Sequence, residues 1–343
     1  LIPALETLND TRPVAVVFRQ RAAFEAAQTA TSLPMVLAIS YPDLADLYGE
    51  NEYRMAVYFN NGMRNFQSMA EASIVHVHVD HGESDKKSSI SNQLKAYDKV
   101  FVAGPAAMER CERALWGIDK NRLVTVGRPP LDGNFVSVLP HDARRTVVYA
   151  PTWQGENEAN NFTSVDALGP HIVEALLSSH VRVVYRPHPR VEYTNEAALS
   201  TADRAIRSML RAANDSGGAH IVSTDLSILD IFEDADVLIT DVSSVGPDFL
   251  YLHTDKGLIL TDRYNDSPRM QSTSPLGAGL GTLTPDNVGQ LPQMIEDSLH
   301  DDTLLSARMR LKNQYFGANA PGESTGQFIK AVDAAIRERG TDC

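Results

Sequence analysis

Cysteine is scarce: Cys111 and Cys343 are the only two in 343 residues. Two thiols cannot build a disulfide framework, and their spacing does not suit zinc. A reducing, cytosolic setting is therefore expected. Long hydrophobic runs are missing as well. No stretch approaches eighteen consecutive apolar residues and no basic start leads into an apolar run, so neither a membrane-spanning helix nor a secretory leader is expected. Positive charge is also short, with 31 Lys+Arg against 44 Asp+Glu and a formal net charge of −13. That mean field repels nucleic acid and anionic bilayers alike, so nucleic acid is not an expected partner. Proline and glycine, at 18 and 21 residues, are too near average usage for a collagen-like or linker-like chain. The sequence opens on Leu1 rather than Met, and we expect it to be part of a longer polypeptide.

The composition that remains is globular, at 43% apolar and 22% charged residues, and the length fits two ordinary domains. Short apolar, β-branched runs recur at Val14 to Phe18, Met35 to Ile39, Met55 to Phe59, Ile74 to Val79, Val100 to Ala103 and Leu123 to Val126. After the turn-rich stretch Gly127 to Gly133 they restart at Thr146 to Ala150, Val181 to Tyr185, His220 to Val222, Asp236 to Thr240 and Gly257 to Leu260. Helical periodicity separates them. Near-continuous apolar strands alternating with amphipathic helices predict α/β units with parallel sheets, one sheet per domain. The boundary is expected near Pro140, giving domains 1–140 and 141–343. Ser324-Thr325-Gly326-Gln327 has the form of a capping box, opening a final helix with Phe328, Ile329, Val332 and Ile336 on one side. That helix could pack back on the N-terminal domain. The Ser267 to Pro285 stretch, with its prolines and glycines, reads as a long loop.

In open parallel sheets, ligands bind beyond the carboxyl ends of the strands. Three strand ends carry chemistry. The first is His76-Val77-His78-Val79-Asp80-His81-Gly82, followed by Glu83, Lys86 and Lys87. Alternation places His76 and His78 in a buried strand as hydrogen-bonded core residues rather than metal ligands, and leaves His81 exposed as a general-base candidate. The second is Arg186-Pro187-His188-Pro189-Arg190, a rigid turn after an apolar strand. Its guanidinium groups and its histidine suit a phosphate. The third is Thr240-Asp241-Val242-Ser243-Ser244, leading into a helix whose first turn holds Pro247. Hydroxyls beside unpaired helix N–H groups suit phosphate too, although a Ser-Ser pair also serves as a plain N-cap.

With these residues in view, the chain resembles the CDP-glycerol glycerophosphotransferases of the teichoic-acid polymerase family, from about Ile74 to about Asp262. Tyr149-Ala150-Pro151-Thr152-Trp153, Pro187-His188-Pro189 and Ile239 to Ser244 with Asp248 look like that family's markers in order. His81 to Lys86 is similar to its His-Gly-Thr-x-x-Lys pattern, and Gly127 to Asp132 to its Gly-x-Pro-x-x-Asp pattern. The resemblance implies a GT-B-like architecture, two Rossmann-like domains whose parallel sheets face an interdomain cleft, with the acceptor side N-terminal and the nucleotide C-terminal. It implies transfer of an alditol phosphate from a CDP-alditol to the hydroxyl of a polymer or lipid-linked acceptor, with release of CMP. No cofactor and no metal are implied. His81 and His188 are then the catalytic candidates, with Arg186, Ser243, Ser244, Asp241 and Thr152 at the pyrophosphate and CMP. Lys86 and Glu83 fall on the acceptor or cleft side. The implied location is the cytoplasmic face of a bacterial membrane, with any membrane contact peripheral, through the acceptor or a segment outside this sequence.

Glu83 stands where the family usually has Thr, and Gln154 where Arg is common, so the alditol or acceptor can differ from the family's usual one. Two other readings stay open: a GT-B glycosyltransferase or sugar-nucleotide epimerase using another nucleotide, and a non-catalytic nucleotide- or polymer-binding module. Against a charge of −13, an anionic donor requires Lys86, Lys87, Arg186 and Arg190 to build a locally positive cleft between the domains.

Overall fold

The computed structural model describes residues 1–80 and 82–341. Two compact units divide the chain. Unit 1 takes residues 1–80, 90–133 and 315–341, and unit 2 takes 82–89 and 134–314.

In unit 1, β1 (Val16–Phe18) pairs in parallel with β2 (Met35–Leu37). A separate four-stranded parallel sheet runs in the order β3 (Met55–Tyr58), β4 (Val75–Val79), β5 (Lys99–Val102), β6 (Leu123–Thr125). The six strands thus form two ladders rather than one. β1 and β2 are three residues each and only partly buried, whereas β4 is buried along its whole length. The final helix, Ser324–Thr341, sets Phe328, Val332 and Ala335 against Val75, Val77, Val79 and Phe101. The Ser324 hydroxyl at its start accepts the Arg128 N–H at 2.9 Å, inside a fully buried contact.

In unit 2, six parallel strands lie in the order β12 (Thr282–Leu283), β11 (Gly257–Thr261), β10 (Val237–Thr240), β7 (Arg145–Ala150), β8 (Val181–Tyr185), β9 (Ile221–Val222). The chain winds outward from β7 through β8 to β9, crosses back to β10, and winds the other way. The reversal between β7 and β10 is the switch point at which such sheets bind ligands. Helices cover both faces. Leu199, Ala202, Ile206 and Leu210 of helix Ala197–Asp215 recur at helical spacing and are buried with Ile172, Val173 and Leu176 of helix Gly169–Ser178. On helices Ile228–Asp234 and Val245–Leu252, Phe232 and Phe249 meet edge to face at 5.0 Å. Each fully buried aliphatic or aromatic side chain contributes roughly 1.5–3 kcal/mol, so the strands read as continuous apolar runs.

The units separate in sequence between Gly133 and Asn134, a short way before Pro140. The reason is Asp234, whose carboxylate accepts the N–H groups of Val138 and Leu139 at 3.0 Å each and so ties that segment to unit 2. Residues 315–341 belong to unit 1 and residues 82–89 to unit 2. The stretch from Ser267 to Pro285 is not a loop: helices Ser267–Thr273 and Pro275–Leu280 and strand β12 occupy most of it. Its prolines open these helices, and Asp266 and Ser274 cap them by accepting N–H bonds from Arg269 and Gly277. Among the described residues, no helix is long and apolar enough to cross a membrane.

Gly104, between β5 and helix Pro105–Ala114, is where residues 315–316 meet the rest of unit 1. A Cβ there would lie 2.2 Å from the Tyr315 carbonyl oxygen and 2.7 Å from the Phe316 Cα. Backbone cannot swing aside as a side chain can, so Gly104→Ala should destabilise by about 1–3 kcal/mol. Urea unfolding measures it, and an unchanged midpoint would show that the two segments separate at no cost.

Candidate active site

The carboxyl ends of β7, β8 and β10 lie side by side, and the hydrogen-bonded ladder between β7 and β8 continues past them. The Arg186 N–H donates to the Tyr149 carbonyl at 2.9 Å and the His188 N–H to the Pro151 carbonyl at 3.0 Å. On the other side of β7, the Thr240 hydroxyl donates to the Ala150 carbonyl at 2.7 Å. Tyr149 to Trp153, Arg186 to Arg190 and Thr240 to Ser244 therefore form one edge.

Asp241 organises that edge. Its side chain is fully buried, and its oxygens accept the Thr152 N–H at 2.7 Å, the Ser164 N–H at 3.2 Å and the Thr261 hydroxyl at 2.5 Å. Burial pushes its carboxyl up, while these donors hold the charged form. Both Asp241 oxygens are thus engaged within the protein, where they hold the Thr152, Ser164 and Thr261 segments together. The sequence pattern could not separate this role from contact with substrate, because both need an acidic residue at a strand end.

Thr152 is nearly as buried, and its hydroxyl accepts from the Lys86 ammonium at 3.0 Å. Burial lowers Lys86 to about 8, against the pull of Asp241. Lys86 belongs to the short segment after β4 that joins unit 2. Along it, Gly82, Ser84 and Lys86 are partly exposed while Glu83 and Asp85 are buried, the alternation of an extended chain. Glu83, only 4% exposed, is therefore not an open group on an acceptor surface. Asp85 anchors the segment by accepting the Ser274 hydroxyl at 2.8 Å. Gly82 passes so close to Ser244 that a Cβ would lie 3.0 Å from the Ser244 Cβ. His81 lies outside the described residues.

His188 caps the short helix Pro189–Glu192, its Nδ1 accepting the Arg190 N–H at 3.1 Å. Burial, then the charges of Arg186, Lys86 and Arg190, push it down to about 4. At neutral pH it is an uncharged imidazole with Nδ1 engaged as acceptor, so its proton sits on Nε2. In that form its Nε2–H is available to donate a hydrogen bond. The Arg190 guanidinium stacks 4.2 Å above the Trp153 ring, which lies 6.1 Å from the His188 ring. Arg186 is half-buried, its Nη2 donating at 3.4 Å to the Leu226 carbonyl and its Nε buried without a partner among the described residues. Burial alone lowers its pKa, with no carboxylate contributing. Ser244 precedes helix Val245–Leu252 without capping it through its side chain, and the Ser243 hydroxyl accepts the Val245 N–H at 3.3 Å.

The structure thus brings Thr152, Lys86, Arg186, His188, Ser243 and Ser244 to one strand edge of unit 2. In unit 1, His76 is satisfied as a core residue, Nδ1 against the Tyr58 hydroxyl and Nε2 against the Glu71 carbonyl, both at 2.8 Å. His78 packs 5.1 Å from the Tyr97 ring. Sequence reasoning missed Ser164 and Thr261. Thr261 ends an apolar run and the strand-end rule could have found it, but Ser164 sits where no pattern marks it.

Two successive α/β units with parallel sheets, and a phosphate-suited edge at the switch point of the second, define a GT-B-like protein. The family model for CDP-Glycerol:Poly(glycerophosphate) glycerophosphotransferase matches residues 55–260, well over half of the sequence, and the chain belongs to that family. It is a glycerophosphotransferase-type enzyme. The fold is similar to that of the wall teichoic acid polymerase TagF, at 13% identity and a TM-score of 0.63 over 98% of this chain and 84% of that one. It is also similar to S. aureus MnaA, solved with UDP, at 12% identity and 0.59 over 98% and 92%. A glycosyltransferase from Rickettsia africae matches at 10% identity and 0.56 over 100% and 93%. No curated protein matches the chain.

Asp241→Ala removes the acceptor of two buried N–H groups and a buried hydroxyl. It should cost about 2–5 kcal/mol of stability and with it nucleotide binding, whereas Asp241→Asn, which keeps one carbonyl oxygen, should cost less. Chemical denaturation of both variants checks this ordering, and equal losses would contradict it.

Proposed function

We propose that this enzyme transfers glycerol phosphate, or a similar alditol phosphate, from a CDP-alditol to the terminal hydroxyl of a poly(glycerol phosphate) or lipid-linked acceptor. CMP is released, and the product is a cell-wall or capsule polymer of the teichoic-acid type. One observation carries the reading: a half-buried Arg186 without a carboxylate partner, a neutral His188 whose Nε2–H can donate, and two serine hydroxyls at a helix N-terminus converge on one strand edge. These are donors and a cation held ready for a diphosphate.

In the proposed reaction, the acceptor hydroxyl oxygen attacks the alditol-bearing phosphorus. The bond from that phosphorus to the bridging oxygen breaks, and the electron pair leaves with CMP. The hydroxyl proton passes to a base, a role we give to His81 by position after β4. His188 does not fill it, because the Arg190 N–H already occupies its Nδ1. Arg186, His188 and the two serines hold the diphosphate oxygens, where charge accumulates as the bond breaks. Lys86 adds a positive charge beside them, oriented by Thr152. The enzyme works at the inner face of the bacterial cell membrane, reached through its acceptor.

Incubation with CDP-glycerol and a glycerol-phosphate-primed lipid, followed by CMP assay, tests the reading. Arg186→Ala should weaken CDP-glycerol binding roughly tenfold, the loss of one charge-assisted contact. CMP at background with every CDP-alditol, or stabilisation by UDP and not by CDP, would falsify the proposal.

Lys86 gives a pH dependence whose sign is fixed. Its ammonium is charged below about 8 and neutral above, so affinity for CDP should fall as pH rises past about 8. Lys86→Arg should keep its affinity to higher pH, since guanidinium does not titrate there. Calorimetric titration with CDP from pH 6.5 to 9.5 reads the difference, and parallel curves for the two proteins would remove Lys86 from the binding site.

A further inference from the structure

Unit 1 carries a second charged edge. Beyond the carboxyl ends of β1 and β3 lie Arg19 and the segment Phe59 to Gln67. The Arg64 Nη1 donates to the Arg19 carbonyl at 2.7 Å, and the Arg19 Nη2 donates to the Gln67 side-chain oxygen at 2.7 Å. The two guanidinium groups are close enough that Arg64 lowers the pKa of Arg19, after the effect of burial. The carboxylate felt by Arg19 is Asp43, which is engaged in the capping box of Ser40. Among the described residues neither arginine is in an ion pair. The Arg19 Nε and the Asn61 Oδ1 are both buried without a hydrogen-bond partner among them. Around this pair, Phe59 is 49% exposed and Met63 70% exposed.

Like charges held together with no ion pair of their own are costly unless an anion joins them, and a strand carboxyl edge is where an α/β sheet takes its ligand. We propose that this edge, centred on Arg19 and Arg64, binds the phosphodiester backbone of the poly(glycerol phosphate) acceptor. The proposal rests on the transferase reading above, and supplies the subsite that Glu83, buried in unit 2, does not. The two guanidinium groups take phosphate oxygens of the incoming chain. The exposed Phe59 and Met63 offer apolar surface to its glycerol carbons.

The probe is a lipid-free glycerol phosphate oligomer of defined length, titrated against the intact protein, with CDP binding measured in parallel. Arg64→Glu tests the exposed partner, and Arg19→Lys keeps charge while losing the planar fork. Oligomer affinity should fall at least tenfold in Arg64→Glu and severalfold in Arg19→Lys, and should weaken with added salt. CDP affinity should be unchanged in both, which shows that the variants are folded. In turnover, the acceptor KM should rise with kcat and the donor KM unaltered. Oligomer affinity within twofold of wild type in both variants overturns the proposal, as does a wild-type protein that binds CDP but no oligomer. Loss of binding to phosphatidylglycerol vesicles with oligomer binding intact overturns it in favour of a membrane face. Failure of the transferase reading shows separately, as absence of CMP release from wild type whatever the oligomer does.

Discussion

A carboxylate with no exposure must be given donors by the protein, and in unit 2 that requirement sets the shape of the candidate site. Asp241 takes its donors from three places distant in sequence: the turn after β7, the segment at Ser164, and the end of β11. Leaving such a group unsatisfied would cost several kcal/mol, so the three segments hold each other in one arrangement. The residues beside them inherit their positions. Thr152, fixed through its N–H, turns its hydroxyl to Lys86, and Ser243 and Ser244 start their helix where Asp241 leaves the strand. Burial of one acid is thereby converted into the placement of a cation and two hydroxyls.

The electrostatics of the edge follow from the same economy. In a chain of net charge −13, burial first, and then the charges of Arg186, Lys86 and Arg190, suppress the protonation of His188, and no carboxylate contributes to lowering or raising it. His188 stays neutral, and its bond from the Arg190 N–H selects the tautomer with a proton on Nε2. A histidine arranged in this way donates and does not abstract. In the proposed mechanism, that single hydrogen bond is why His188 serves as a donor and not as the base.

Much of this was legible in the sequence, for a physical reason. Parallel strands covered on both faces must be apolar on both, so β7, β8, β10 and β11 stand out as continuous runs, and the residues just after them mark the ligand edge. Even Arg182, inside β8, fits once its guanidinium is seen to donate to the Thr146 hydroxyl at 2.8 Å. What could not be read was spatial. Pro268 and Pro275 look like loop residues until their capping partners Asp266 and Ser274 are placed. Glu83 and Asp241 look like open acids because residue type carries no information about burial. Residues 82–89 and 315–341 change units because neighbours along the chain need not be neighbours in space.

The two units repeat an architecture but not a chemistry. The unit 2 edge is polar, built from a helix N-terminus, two hydroxyls and a guanidinium in no ion pair among the described residues, which suits a compact diphosphate gripped at fixed points. The unit 1 edge pairs two guanidinium groups beside large exposed apolar side chains, which suits a longer and more flexible polyanion that alternates charge with carbon. The proposed transferase, with two phosphate-bearing substrates, needs positive charge for each. Arg19, Arg64, Arg186, Arg190 and Lys86 supply it at or just beyond strand ends, where the fold already places ligands. The surplus of acidic residues over the rest of the chain then discourages phosphate-bearing molecules from settling anywhere else.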